Sequence, residues 1–563
     1  MFLFLCGCIL SLCALCPSSP LSALNTQQQL LGRISFANSG SAAAQAPFIR
    51  GVLLLHSFEY DDAIAAFREA QQIDPGFALA YWGEAMCDNQ PLWYNENVDK
   101  ARQALGRLAA DPAARQAKAP TAREKGYLDA VERLFGNVRG SGAGSTNDKA
   151  SRNRAYAERM AELSRQFPND DEAAAFYALA LLGARPETDR DTTVMQKAGA
   201  IALAILKRNP QHPGAAHYAL HAFDDGEHAA MGLEAARAYA RIAPASSHAR
   251  HMPSHVFLPL GMWDEAAASD ESSFAASVDR VNRLRLSMGQ ADFHSLGWLQ
   301  YEYLQQGRFA KAREAMKTVE DALADGSGKA PRSGGSGTRG FSRATEHQHV
   351  ESEIGRGYGP MSLKGELASM RARLVLESGR WDEMKGRSSF DNVDELFALG
   401  IASIKLGDEA RAEAVFDQLQ QARAAAPDPD NKRLASIMSG EVAGLIQLAR
   451  GQKTEAMQTL AGAARAESQL ARPIARPYPV KPAVEVYAEA LVAAGNAGEA
   501  VRQFQASLAR TPRRAASLIG LARAAQAAGQ REVAVKAARE FIEMWHAADA
   551  DRAEVKDARA IAR

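Results

Sequence analysis

Tyr60-Asp-Asp-Ala63-Ile-Ala-Ala-Phe67-Arg-Glu-Ala70-Gln-Gln-Ile73-Asp-Pro75 decides the fold. An aromatic residue opens a helix after a turn. Small alanines recur on the face that meets a neighbouring helix, Phe67 and Ala70 follow, and Pro75 stops the run. Each choice has a physical reason. Alanine lets two antiparallel helices approach closely, the aromatic fills the space between successive units, and proline ends a helix because it lacks the N–H and clashes with the preceding turn.

The same turn returns along the chain. It reads Gly261-Met-Trp263-Asp-Glu-Ala266, Gly307-Arg-Phe309-Ala-Lys-Ala312 and Gly379-Arg-Trp381-Asp-Glu, then Gly407-Asp408, Gly451-Gln-Lys-Thr-Glu-Ala456, Gly495-Asn-Ala-Gly-Glu-Ala500 and Gly529-Gln530. The last two glycines are 34 residues apart, and 407, 451 and 495 are spaced by 44. No run keeps a strand-like alternation. A helix–turn–helix unit of about 34 residues, stacked with insertions, is the tetratricopeptide repeat. The expected fold is therefore all-α, a right-handed superhelical tetratricopeptide-type solenoid of antiparallel helix pairs, in two segments. The divider is the Gly/Ser-rich stretch 325–345, between an N-terminal segment (24–324) and a C-terminal one (346–563). Gly136 to Ser145 reads as a loop, and Arg472-Pro-Ile-Ala-Arg-Pro-Tyr-Pro-Val-Lys-Pro482 as an extended connection.

Composition agrees. The 563 residues are too many for one compact core, and only 7% are aromatic against 47% apolar, the balance of Ala- and Leu-rich helices. With 66 basic and 66 acidic residues there is no electrostatic footprint for nucleic acid, and no phosphate-binding glycine loop is present. Met1 to Leu15 is almost wholly apolar and leads through Pro17-Ser-Ser-Pro20 to Leu21-Ser-Ala23, which reads as a signal peptide (1–23) cut after Ala23. The expected destination is periplasmic or secreted, with no membrane span after removal. No basic residue precedes Arg33, so the usual positive start is missing, and a lipid anchor through Cys16 fits less well. Four cysteines go with that leader, leaving Cys87 as buried filler and no intrachain disulfide.

Eight of the twelve histidines fall between residues 212 and 294. Pro210 and Pro244 end second helices 34 residues apart. Counted from them, His217 and His221 occupy repeat positions 5 and 9, and His251 and His255 repeat those positions. His294 falls at position 2 of the next unit and His56 at position 13 of the first. All lie on one stripe of the first helix, the stripe that lines the concave groove of such solenoids. Residues four apart stack on a helix face, and helices 8–10 Å apart let imidazoles from neighbours reach one ion. Zinc, copper and iron accept imidazole. Asp224 and Asp225 are placed to be ligands or acceptors behind an imidazole. Pro253, between His251 and His255, marks a helix start that threatens their alignment. His212, His228, His347, His349 and His546 read as ordinary hydrogen-bonded histidines.

Further motifs are His56-x-Phe58-x-Tyr60-Asp-x-Ala63, Ala80-Tyr-Trp-Gly-x-Ala-Met86 with Pro91-Leu-Trp93, His212-Pro-Gly-x-x-His217-Tyr-x-x-His221-Ala, His251-Met-Pro-Ser-His255, His294-Ser-Leu-x-Trp298-Leu, Tyr478-Pro-Val480 and Phe541-x-x-x-Trp545-x-x-Ala-Asp549. On these the chain resembles uncharacterised bacterial tetratricopeptide-repeat proteins, often exported. The resemblance implies fold and export, and no reaction. It also implies a His where this chain has Gln90.

Three readings of the histidines stay open: a transition-metal site (Zn, Cu or Fe) held by His217, His221, His251 and His255 with His294 and His56 nearby, a metal-free groove for a peptide or protein partner, and a structural network. Tetratricopeptide arrays serve more often as scaffolds than as enzymes, and catalysis is left undecided.

Overall fold

The computed structural model describes residues 30–563 apart from 94, 137–147, 186–191, 326–361, 389, 427–428 and 474. The leader at 1–23, nearly all of the Gly136–Ser145 loop and of the 325–345 stretch, and His347 and His349 lie outside the described residues.

Paired helices fill the described chain. The opening pair is Gln45–His56 with Tyr60–Ile73, followed by Ala78–Cys87 with Val98–Leu108, and the closing pair is Ala515–Ala527 with Arg531–Met544, capped by Ala553–Ile561. Among the described residues the strands are two residues each, Asn89–Gln90 against Asn95–Glu96. The architecture is a tetratricopeptide-type helical solenoid. No described helix is long and apolar enough to cross a membrane.

Close approach is built as the opening stretch dictates. Ala63, Ala66, Phe67 and Ala70 are all buried. Phe67 is wedged between two glycines: a Cβ on Gly51 would lie 2.8 Å from its ring, and one on Gly83 would lie 2.3 Å from it. Any side chain at either glycine would push the three helices apart.

The inter-helix turn uses one backbone device. Gly261, Gly307, Gly379, Gly407, Gly451, Gly495 and Gly529 all have φ between 68° and 84°, the left-handed cap that glycine enters without a Cβ penalty. At Gly307 the amide bonds Leu304 O (3.1 Å) and the next amide, of Arg308, reaches Tyr303 O (2.8 Å). The first pair closes with the same two bonds, Phe58 N to Leu55 O and Glu59 N to Leu54 O, but the left-handed residue is Phe58 (φ 57°). A non-glycine residue there costs roughly 1–2 kcal/mol. One expected second helix is cut short: after Gly379-Arg-Trp381 only the single turn Trp381–Met384 forms, because Lys385 is extended and Gly386 takes φ 75°.

The chain also packs back on itself. Trp263 Nε1 donates to Arg513 O (2.9 Å), Trp545 Nε1 to Gln305 O (2.7 Å), and Asp549 N to Gly307 O (3.1 Å). One apolar core therefore joins Leu296 and Tyr301 to Leu367, Leu518, Phe541 and Trp545.

Candidate metal centre

The His-bearing helices are set by their caps. His212 caps Pro213–Ala222: its Nδ1 accepts from Ala215 N at 3.1 Å, and Pro213 takes the first turn, where a missing N–H is harmless. One turn apart, His217 and His221 then share a face. Ser246 caps Ser247–His251 by accepting from Ala249 N (3.1 Å). Pro253 interrupts the hydrogen bonding, yet Met252 and Pro253 both keep right-handed helical angles. His251 and His255 therefore remain aligned, and the break does not separate them.

The histidines assemble into three groups whose ligand atoms lie within 4.8 Å of one another. In the first, His217 Nε2 lies 2.9 Å from His221 Nε2 and 3.0 Å from His248 Nε2. His217 Nδ1 meets the backbone oxygen of His56 at 2.6 Å. A carbonyl only accepts, so Nδ1 carries the proton and Nε2 presents its lone pair. Burial, with smaller contributions from His56 and His255, pushes the His217 pKa down to about 3, outweighing that hydrogen bond. The ring is neutral at any ordinary pH. Phe58 roofs the group, its ring 4.3 Å from that of His217 and stacked at 5.7 and 5.8 Å on His221 and His248.

The second group is His251, His255 and His294. The Nε2 atoms of His251 and His255 are 3.0 Å apart. Behind them, His251 Nδ1 bonds Asp270 Oδ1 (2.6 Å) and His255 Nδ1 bonds Asp224 Oδ2 (2.9 Å). An aspartate thus stands behind each of the two rings and orients its Nε2 toward that of the other. Asp270 is buried against Glu302, on the same helix as His294. Burial pushes the carboxyls of both Asp270 and Glu302 well above the usual range, and each raises the other's cost of ionising. Trp298 stacks on His255 at 4.5 Å. His294 is half-buried, whereas the other five rings are buried.

In the third group, Glu172 lies between His56 and His212. His56 Nε2 bonds Glu172 Oε2 (2.7 Å) and its Nδ1 meets Tyr218 Oη (2.9 Å), while His212 Nε2 lies 3.2 Å from Glu172 Oε1. Burial would raise Glu172, but His212 and His56 outweigh it and hold the carboxyl near 2. Both nitrogens of both rings are engaged, which is the pattern of a structural network. Gly214 makes room for it, since a Cβ there would lie 2.3 Å from His56 Nδ1.

Of the six residues expected to hold metal, His217 and His221 fall in one group and His251, His255 and His294 in another, while His56 meets His217 through its carbonyl. The expected groove wall is buried in this region. His248 went unrecognised, and its signal lies in the repeat: counted from Pro244 it occupies position 2, as His294 does one unit later. Each group is thus positions 5 and 9 of one unit with position 2 of the next. Asp224 bonds His255 as expected, whereas Asp225 bonds His228 Nδ1 (2.8 Å). His546 is exposed, and Cys87 is buried with its thiol on Gly83 O. Trp93 packs on Phe58 and His248.

No family model matches the sequence, and no curated protein does. Solved structures are similar in fold alone. Human IFIT1, as a dimer with m7Gppp-AAAA, is 11% identical over 94% of this chain and 96% of its own, with a TM-score of 0.32. A tetratricopeptide repeat protein from Parabacteroides merdae is 13% identical over 56% of this chain and 99% of its own (TM-score 0.29). The P58(IPK) TPR domain is 13% identical over 87% and 99% (TM-score 0.23).

Proposed function

We propose that this chain is a metalloprotein whose solenoid binds transition-metal ions through His217, His221 and His248 and through His251, His255 and His294. The observation that carries the reading is the convergence of Nε2 atoms at 2.9–3.0 Å around a His217 nitrogen that has no proton to give. Two imidazoles compete there for one lone pair, a conflict that a cation bonded to all three removes. Ligand distances of about 2.0–2.1 Å at right-angled to tetrahedral geometry place nitrogens about 2.9–3.4 Å apart. Carboxylates behind His251 and His255 orient and strengthen those ligands. His294 is the one half-buried ring of the six, so an exchangeable ligand such as a metal-activated water would reach the His251 centre from its side. Export after removal of residues 1–23 belongs to the same proposal and is checked by sequencing the mature N-terminus.

Elemental analysis of untagged, chelator-free protein beside a His217→Ala/His251→Ala variant is the test. Near-stoichiometric metal in the wild type alone supports the reading. Failure of both to take up zinc, copper or iron refutes it and leaves the scaffold reading, to be pursued by partner capture on the solenoid surface.

A further inference from the structure

The two His triads repeat the same ligands, yet differ in how an ion would reach them. At the His251 centre, His294 is half-buried and turns one side to solvent. At the His217 centre all three rings are buried. Phe58, itself buried, lies against each of them, 4.3 Å from His217 and 5.7 and 5.8 Å from His221 and His248. Trp93 packs in turn on Phe58 at 5.2 Å and on His248 at 6.0 Å, and is half-buried.

Three features fit these two rings to move. Trp93 belongs to the single turn Pro91–Trp93, between the members of the one strand pair among the described residues, so no long helix holds it. Phe58 sits in the left-handed conformation (φ 57°) that seven later turns give to glycine, and the backbone bonds from Phe58 N to Leu55 O and from Glu59 N to Leu54 O close its turn. A strained residue held by so short a turn opens locally at less cost than a helix interior does. Phe58 also borders a cavity of about 10 Å³, lined by Leu55, Met86, Phe176 and Leu179 among others, so its ring is not packed on every side. A bulky residue kept where glycine is easier marks a local requirement, and cover for the triad is what Phe58 supplies.

An ion leaves a site of three imidazoles as water or another ligand replaces them, so a centre closed to water exchanges slowly. Resting on the metalloprotein reading, we infer that Phe58 and Trp93 form a gate over the His217 centre. That centre holds a resident ion, exchanged when the two rings swing aside, and the His251 centre holds a labile one, exchanged past His294.

The test uses the full chain loaded with Zn(II) and mixed with an excess of a chromophoric chelator. The wild type releases zinc in two equal phases whose rates differ by about tenfold or more. His294→Ala removes the fast phase and His221→Ala the slow one, and the phase that remains shows each variant to be folded. Phe58→Gly, which suits the turn, and Trp93→Ala each speed the slow phase by about tenfold or more without moving the fast one. Loading of the His217 centre quickens by the same factor, so its zinc affinity at equilibrium stays within about threefold of the wild type. A gate changes entry and exit together, whereas a residue that merely stabilises the bound ion changes exit alone. The inference is overturned if both ions leave at one rate, if Phe58→Gly or Trp93→Ala leaves the slow phase unchanged, or if faster release comes with a matching loss of affinity. Absence of zinc from both triads fails the metalloprotein reading itself, an outcome distinct from all of these.

Discussion

Replacing Gly307 by Ala and, separately, Gly407 by Ala imposes the same backbone strain in two different settings. Both glycines sit at the left-handed turn, with φ of 70° and 75°, so each alanine costs about 1–2 kcal/mol on that account. A Cβ on Gly407 meets nothing within 4 Å. A Cβ on Gly307 would lie 2.8 Å from the Trp545 ring and 2.9 Å from the Ala548 Cβ. The indole cannot readily retreat, because its N–H is bonded to Gln305 O at 2.7 Å. Overpacking of this kind adds about 1–3 kcal/mol. Gly307→Ala is thus expected to cost about twice as much as Gly407→Ala. The extra loss is localised to the contact between Gly307 and the last helices. Because a chain this long need not unfold in one step, hydrogen exchange is the better assay. Peptides covering 531–563 should lose protection in Gly307→Ala and keep it in Gly407→Ala, with a larger fall in the first thermal midpoint for the former. Equal protection in the two variants would refute the argument that the turn and Trp545 are packed in register.

Three further outcomes follow from the site. His212→Ala removes a helix cap worth about 1 kcal/mol and one partner of a fully buried carboxylate, whereas His212→Asn restores the cap alone. Urea midpoints should fall in the order wild type, Asn, Ala, and equal midpoints for the two variants would deny the capping role. Glu172 is held near 2, below its ordinary 4.5, so its contribution to stability is complete above about pH 4.5 and is lost as pH falls toward 2. Glu172→Gln should flatten the acid limb of a stability–pH curve, and an unchanged limb counts against the network. Burial lifts Asp88 from 3.8 to about 7, so the fold retains its proton more strongly than the unfolded chain and loses stability as pH climbs between those values. Asp88→Asn should raise the thermal midpoint at pH 8 more than at pH 4, and a uniform shift would contradict this.

The turns, the alanine faces and the pairing of helices were legible because they are local: each depends on residues within one unit and recurs with the repeat. The phase of His217, His221, His251 and His255 was legible for the same reason. His248 was passed over although it stands at the position of His294, because position 2 of the preceding unit is Gly214 and the series looks broken there. Burial of the site was not legible. It depends on Phe58 and Trp93 reaching histidines more than 150 residues away, and on Asp270 and Glu302 being buried together behind His251. The shortened helix after Trp381 escaped notice because its turn signal is intact and the failure lies in the angles at Lys385 and Gly386.

Solenoids usually gain and lose units freely over evolutionary time, since each module touches only its neighbours. Hydrogen bonds from Trp263 to Arg513, from Trp545 to Gln305 and from Asp549 to Gly307 deny this chain that freedom. They tie together backbone segments some 240–250 residues apart in sequence. Duplicating or deleting one module between them would shift one end of the tie relative to the other and break all three bonds at once. The number of modules in that arc is therefore a fixed dimension of the molecule, as the number of staves is for a barrel. Lineages descended from this sequence should tolerate length changes in the connections between helices and reject them in whole units.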